Sequence, residues 1–381
     1  REVLFDGTSH EVLVESSPDK ALATRGLLDS LPSTAPLSEL TNTDVVRWKG
    51  SLTESIPPAA LDQFSSLGTQ LWQSDPVYFV NKGAPLFSSA SEMVSLAKER
   101  DVGLGEIALA HESQLLGLSE SDVVTEMLRR YDIMVDSVEQ GLDPNHTGLQ
   151  LLPSCAGAIF EAESKGKLSV PSFSTRAAAR ALAVMHVDGS MGVVCAAPTG
   201  GSAGVIPGTI VTLAEERELS REQIAKALLA AGAIGMILSI RGTFAAEVAG
   251  CQVEIGASGA MAAAGVVDAV GGNAQQACDA AAIGFQNTMG TVCDLLHGMV
   301  EIPCHTRNGA AAAGAFVNAD LILGGYTNYI PLDETIDAVY AVGLAMPKEL
   351  RCTSKGGLAV TPSAMALKPK MCCGSGCSSC G

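Results

Sequence analysis

The sequence predicts a mainly α protein: an Ala- and Gly-rich helical domain preceded by a small mixed α/β or irregular N-terminal segment. Three observations carry that expectation. Long apolar runs, such as residues 227–240 and 257–270, are dominated by Ala and Gly, as in helices that touch through small side chains. Ser119 and the box Ser220-Arg221-Glu222-Gln223 stand where such runs open, with the hydroxyl and Gln placed to satisfy the free amides of a first helical turn. Aromatic residues make up only 4% of the 381 residues, so few bulky rings hold neighbouring elements apart.

The length suits two domains at roughly 100–200 residues each. We place an N-terminal segment at 1–85, a helical domain at 86–367 and a Cys/Gly/Ser-rich tail at 368–381. In the first segment, residues 3–5, 11–15 and 77–80 read as short strands among Ser, Pro and Thr. Helices are expected over 91–100, 104–116 and 119–141, followed by a loop at 143–148 that leaves His146 at the surface. A helix over 177–187 leads through Asp188-Gly189-Ser190 and an apolar stretch into a loop at 198–208. Beyond it, a helix runs from the box at Ser220 to Arg241, and others cover 257–270, 274–288, 308–323 and 335–345. Asp333 is the expected cap of the last, Cys278 falls in the core, and Gly271-Gly272-Asn273 marks an antiparallel hairpin.

Composition excludes several function classes. A net charge of −17 with no basic stripe opposes nucleic acid, whose binding depends on clustered Lys and Arg. The apolar runs are too short and too rich in Ala and Gly for a membrane span of about 20 strongly apolar residues. Eleven cysteines without a small secreted scaffold favour a reducing compartment, the cytoplasm by default, or an organelle if a leader precedes Arg1.

Two stretches carry chemistry. Gly200, Gly201, Gly204 and Gly208 leave backbone N–H groups open to a small anion such as an amino-acid carboxylate, or else make a tight packing turn. Neither a Walker pattern nor G-x-G-x-x-G is present, which disfavours nucleotides. Cys251, Cys293 and Cys304 stand beside Gly250, Gly256, Asp294 and Pro303, in loop-like settings that suit metal ligands. No close C-x-x-C pair joins them: 41 residues lie between the first two and 10 between the next two. They are either thiols gathered by the fold or three small buried apolar side chains. A hairpin over 257–288 would return the chain from Cys251 to Cys293.

The flanks resolve the choice by resemblance. A-G-C-Q-V-E-I-G, T-V-C-D and E-I-P-C-x-x-R-N resemble the cluster-binding segments of iron-sulfur-dependent L-serine dehydratases, in their alpha domain. The loop Ala197 to Gly208 resembles the same family's A-P-T-x-G-x-x-G-x-x-P, and Leu350-Arg351-Cys352-Thr353-Ser354-Lys355-Gly356-Gly357-Leu358-Ala359 its R-x-T-x-x-G-G-L-A segment.

The resemblance implies a [4Fe-4S] cluster on Cys251, Cys293 and Cys304, one iron remaining open as a Lewis acid. It implies a substrate loop of Thr199, Gly200, Gly201 and Ser202, and dehydration of L-serine or a related β-hydroxy amino acid, through aminoacrylate, to pyruvate and ammonia. Cys380, in the tail spacing C-x3-C-x2-C, could plug the open iron as tail cysteines do in some members; an incidental or redox-active tail is the alternative. Residues 1–85 do not resemble the family's beta domain, which is compatible with a separate beta subunit, a changed substrate or lost activity; an oligomer is expected. Asp294 and Glu254 read as groups that orient ligands, with Glu247, Arg307 and Asn308 as polar neighbours. His297 and His305 read as surface or structural, and no base is named. Leu295-Leu296-His297 and Gly200 depart from the family pattern and leave substrate identity open. The competing reading is a non-catalytic iron-sulfur sensor or scaffold, or a lyase with a changed substrate.

Overall fold

The computed structural model describes residues 9–33, 35–75 and 81–369. The strands expected at 3–5 and 77–80, and Cys372, Cys373, Cys377 and Cys380, lie outside the described residues. The chain forms two compact units, Arg1–Ala84 and Pro85–Gly381.

In the first unit β1 (His10–Ser16) is followed by α1 (Ala21–Asp29), β2 (Ser38–Thr41), β3 (Val46–Leu52), α2 (Pro58–Ser66) and β4 (Gln70–Ser74). The sheet is antiparallel in the order β2-β3-β1-β4. Central β1 sets Val14 opposite Trp48 on one side and Leu71 on the other. The strand expected at 11–15 is therefore the middle of a sheet. Val12, Val14, Trp48 and Leu52 pack with Leu28 of α1 and Phe64 of α2 into one small core. The indole of Trp48 donates to Glu39 at 2.7 Å, which satisfies its buried N–H. This order of elements and strands is the split βαβ arrangement of ferredoxin-like folds.

The second unit is helical: α3 (Ala90–Arg100), α4 (Leu104–Leu116), α5 (Glu120–Leu142), α6 (Ala156–Ser164), α7 (Phe173–Gly189), α8 (Val205–Arg217), α9 (Arg221–Arg241), α10 (Ala246–Ala249), α11 (Ile255–Ala269), α12 (Ala274–Thr288), α13 (Cys304–Leu323), α14 (Leu332–Ala345) and α15 (Pro362–Ala366). The expected caps at Ser119 and Ser220 form, each hydroxyl accepting from an amide three residues on. Asp333 is a correction. It sits inside the first turn of α14, and its carboxylate accepts from the amides of Ala90 and Ser91, capping α3 instead. His146 is also half-buried rather than solvated, its ring paired with Ser190 Oγ at 2.9 Å.

Small side chains let these helices approach closely. A Cβ on Gly141 of α5 would lie 1.8 Å from the carbonyl oxygen of Ala183 in α7, so only Gly fits that crossing. Ala257, Ala260, Ala263 and Ala264 of α11 are fully buried against neighbouring helices, as is Cys278 of α12. Helix α9 has the length and hydropathy to cross a membrane, yet 67% of its most apolar stretch is buried within the helical unit.

Candidate metal centre and substrate loop

The hairpin of α11 and α12 brings two of the three cysteines together. Cys251 lies in a short turn before α11, and Cys293 follows α12. The Cys251 N–H donates to Thr291 O at 2.9 Å. Gln252 fastens the same junction, donating to Ala249 O at 2.8 Å and accepting from Gly290 N at 2.9 Å. Both glycine flanks of Cys251 are needed sterically: a Cβ on Gly250, which adopts a positive φ, would meet Thr291 O at 2.9 Å, and one on Gly256 would meet Thr288 Oγ1 at 2.5 Å.

Cys304 completes the set from the first turn of α13. It was expected in a loop before a helix at 308–323, but the helix starts four residues earlier. The thiol is thus carried on regular structure. Cys251, Cys293 and Cys304 are all buried, sharing a small cluster with Ala246, Ile255 and Leu295. Ligand atoms of Cys251, Glu254 and Cys293 lie within 4.8 Å of one another, a group able to hold a metal. The hydrogen bond between the two thiols holds Cys251 below and Cys293 above the usual thiol range, while burial pushes Cys304 up. Burial also raises Glu254, against a hydrogen bond from Thr199 that lowers it.

Polar groups around the thiols fix the loops that carry them. Arg307, three residues past Cys304 on α13, donates to Val292 O at 2.8 Å and pairs with Asp294 at 2.9 Å, gripping the chain on both sides of Cys293. Asp294 also accepts from Leu358 N at 2.7 Å. The closing Gly-Gly pair makes this approach feasible, since a Cβ on Gly357 (φ 59°) would lie 2.4 Å from the Asp294 carboxylate. Cys293 itself pairs with the segment 350–353, donating to Leu350 O and accepting from Thr353 N. That segment carries a fourth cysteine. Cys352 is half-buried and packs against the cluster that contains Cys251, Cys293 and Cys304. Its signal lay within the closing motif, masked because the motif was read for its glycines.

The loop at 198–208 separates into two parts. Gly204 and Gly208 serve packing, because a Cβ on either would strike the backbone of α7, at 2.3 Å from Ala181 O and 2.6 Å from Ala177 O. Thr199 precedes a short turn, Gly200–Ser202, whose leading amides have no acceptor within the turn itself. Asn308 of α13 ties this turn to the thiol pocket. It donates to Gly201 O and to Cys304 O and accepts from Gly204 N. Ser258 of α11 holds the loop from another side through Ala197 O at 2.7 Å.

Two carboxylates face the turn. A Cβ on Gly200 would lie 3.3 Å from Asp188 Oδ1, and one on Gly201 3.7 Å from Glu254. Burial pushes Asp188 up to about 6. Asp188 was read only as part of a linker, and nothing in its flanks marks it. Of the two histidines beside cysteines, His297 is exposed, its ring on Ala364 O at 3.1 Å. His305 is buried against His186, with ring centroids 5.4 Å apart, and burial lowers it to about 3, so it is neutral. Glu247 is felt by Glu254 as a like charge from α10.

Known proteins match this sequence. The profile of the serine dehydratase alpha chain family covers residues 90–359, which includes every residue of the thiol pocket and the loop. The probable L-serine dehydratase alpha chain of Bacillus subtilis (strain 168) is 35% identical over 286 residues, 75% of this chain and 95% of that protein. The L-serine dehydratase alpha chain of Peptoniphilus asaccharolyticus is 34% identical over 72% of this chain and 94% of its own. L-serine dehydratase TdcG of Escherichia coli (strain K12) is 32% identical over 72% of this chain but only 62% of its own length. The ferredoxin-like unit falls outside the matched range, while the helical unit that carries the thiols spans it: the chain belongs to the serine dehydratase alpha chain family.

Proposed function

We propose that this chain is the alpha chain of an iron-sulfur L-serine dehydratase. Cys251, Cys293 and Cys304 would hold a [4Fe-4S] cluster, and Thr199, Gly200, Gly201 and Ser202 the substrate. The observation that carries the reading is the convergence of three buried thiols on one apolar pocket, tied through Asn308 to the turn at 199–202. The donor set fits the group: thiolates are soft ligands that select iron-sulfur clusters or zinc over hard cations. When bound by three cysteines, such a cluster supplies a Lewis-acidic iron with an open position.

The protein's own groups account for the rest of the substrate. The leading amides of the turn, those of Gly200 and Gly201, suit an amino-acid carboxylate. Asp188, beside Gly200, suits the ammonium group, and a bound ammonium would favour its charged form. Glu254 lies between the thiols and Thr199, where it orients the pocket. Loss of water from serine gives aminoacrylate, which tautomerises and adds water to give pyruvate and ammonia. A separate beta subunit, an oligomeric assembly and a cytoplasmic setting complete the proposal; the words "alpha chain" in the relatives' names support the first.

The test is purification without oxygen, analysis of iron, acid-labile sulfide and zinc, and a pyruvate assay with L-serine, with and without a beta chain. Iron and sulfide in equal amounts, with pyruvate formed, is the expected result. Zinc without sulfide, or a loaded protein inert toward serine and related β-hydroxy amino acids even with a beta chain, would overturn it.

A further inference from the structure

Glu301, in the turn that leads to Cys304, is only 3% exposed, and its carboxylate is filled by backbone amides from a distant loop. One oxygen accepts from Gln150 N at 2.6 Å, the other from Leu151 N at 3.0 Å and Leu152 N at 2.8 Å. Three converging N–H groups call for two oxygens and no donor, which among side chains only a carboxylate supplies. The loop so held wraps the end of α7. His146 Nε2 lies 2.9 Å from Ser190 Oγ and 3.0 Å from His186 O. A Cβ on Gly148 would lie 2.6 Å from Ser190 Cβ, and one on Gly189 would lie 2.9 Å from Leu149 Cδ2 and 3.7 Å from Glu301 Cγ. Asp188, the residue before these contacts, faces Gly200.

Resting on the assignment of Asp188 to the substrate ammonium group, we propose that Glu301 is a positioning residue for serine. It clamps residues 150–152 and, through His146 and Leu149, fixes the end of α7 so that Asp188 stands at the 200–202 turn. The stretch that delivers Cys304 is thereby tied to the place where the ammonium group binds. Glutamine at position 301 would turn an NH2 donor toward one of the three amides and open the clamp. Leu151, packed with Leu296 and Ala364, would still keep the loop on the protein.

The test uses the full-length chain loaded with iron and sulfide, in the assembly that turns over L-serine. Glu301→Gln should raise the half-saturating serine concentration at least about tenfold, the factor for one mispaired amide in a buried charged contact, and change kcat by less than about twofold. Inhibition by β-hydroxypropionate, which lacks the ammonium group, should be unaltered. Added to Asp188→Asn, the Glu301→Gln change should have almost no further effect, since both act on one contact. Hydrogen exchange read by peptide mass should speed up at 148–152 and 185–191 in Glu301→Gln. His146→Ala cuts the link on its other side with Glu301 intact; it should reproduce the serine effect, and it carries the test if Glu301→Gln does not fold. Equal weakening of serine and β-hydroxypropionate, or effects of Glu301→Gln and Asp188→Asn that add, overturns the proposal, because a merely structural loss would give both. If Asp188→Asn leaves serine binding unchanged, the ammonium assignment itself is wrong and this role falls with it. A rise in Asp188→Asn with none in Glu301→Gln or His146→Ala sinks the positioning role alone.

Discussion

The helical core and the thiol pocket lie in the same unit but are built by opposite means. In the core, α9, α11 and α12 meet through Ala and Gly with almost no polar side chains, and tight fit supplies the order. In the pocket, Cys251 and Cys293 sit on short irregular segments and Cys304 on the first turn of α13, and their order comes from directed polar contacts: Arg307 on Val292 and Asp294, Gln252 on Ala249 and Gly290, Asn308 on Gly201 and Gly204. The core should thus answer to volume and the pocket to charge and hydrogen bonding.

The largest effect tests the core. Gly141→Ala forces a methyl group onto the backbone of α7, and we expect a loss of about 3 kcal/mol or more in chemical denaturation. Unchanged stability would mean that α5 and α7 are not so closely packed. Arg307→Ala in the pocket removes the partner of a buried carboxylate, at a cost of about 2 kcal/mol. It should also accelerate iron release, a readout that an equally destabilising core change would not share. Loss of stability with unaltered iron release would break the contrast.

A subtler difference is in pH. Asp188 is raised to about 6 by burial, so as pH falls through 6 it takes a proton and would no longer attract the substrate ammonium group proposed for it. The half-saturating serine concentration should then climb by about tenfold per unit below that value. Asp188→Asn should raise it at neutral pH and flatten the profile. In the empty protein the same shift acts on stability in the other sense. The folded state holds this proton more tightly than the unfolded chain, so the contribution is full below about 3.8 and is lost as pH rises through about 6. Smallest of all, Gly232→Ala on the exposed face of α9 meets no atom within 4 Å and should stabilise by somewhat less than about 1 kcal/mol.

What could be read from the sequence follows the same division. Helix positions are set by local periodicity and caps, so 104–116 and 274–288 match α4 and α12, and the box at Ser220 opens α9 as expected. Family membership was legible in the ordered motifs. Contacts between distant segments were not: Asp333 capping α3, Asp188 facing Gly200 and the 350–353 segment pairing with Cys293 each join residues with no shared local pattern. The ferredoxin-like sheet was hidden for the same reason. Its central strand pairs with β3 and β4 across long intervening stretches of chain, and β2 and β4 show little apolar alternation.

The central claim is that Cys251, Cys293 and Cys304 act as one unit on a single iron-sulfur group. It is tested by preparing Cys251→Ser, Cys293→Ser and Cys304→Ser without oxygen, beside a truncation before Met371, and measuring iron and visible cluster absorbance in each. Each substitution should abolish the stable cluster, because it removes one of its three anchors in a pocket shaped around them, while the truncation retains it. Normal iron content in any one of the three, or complete iron loss in the truncated chain, would contradict the assignment.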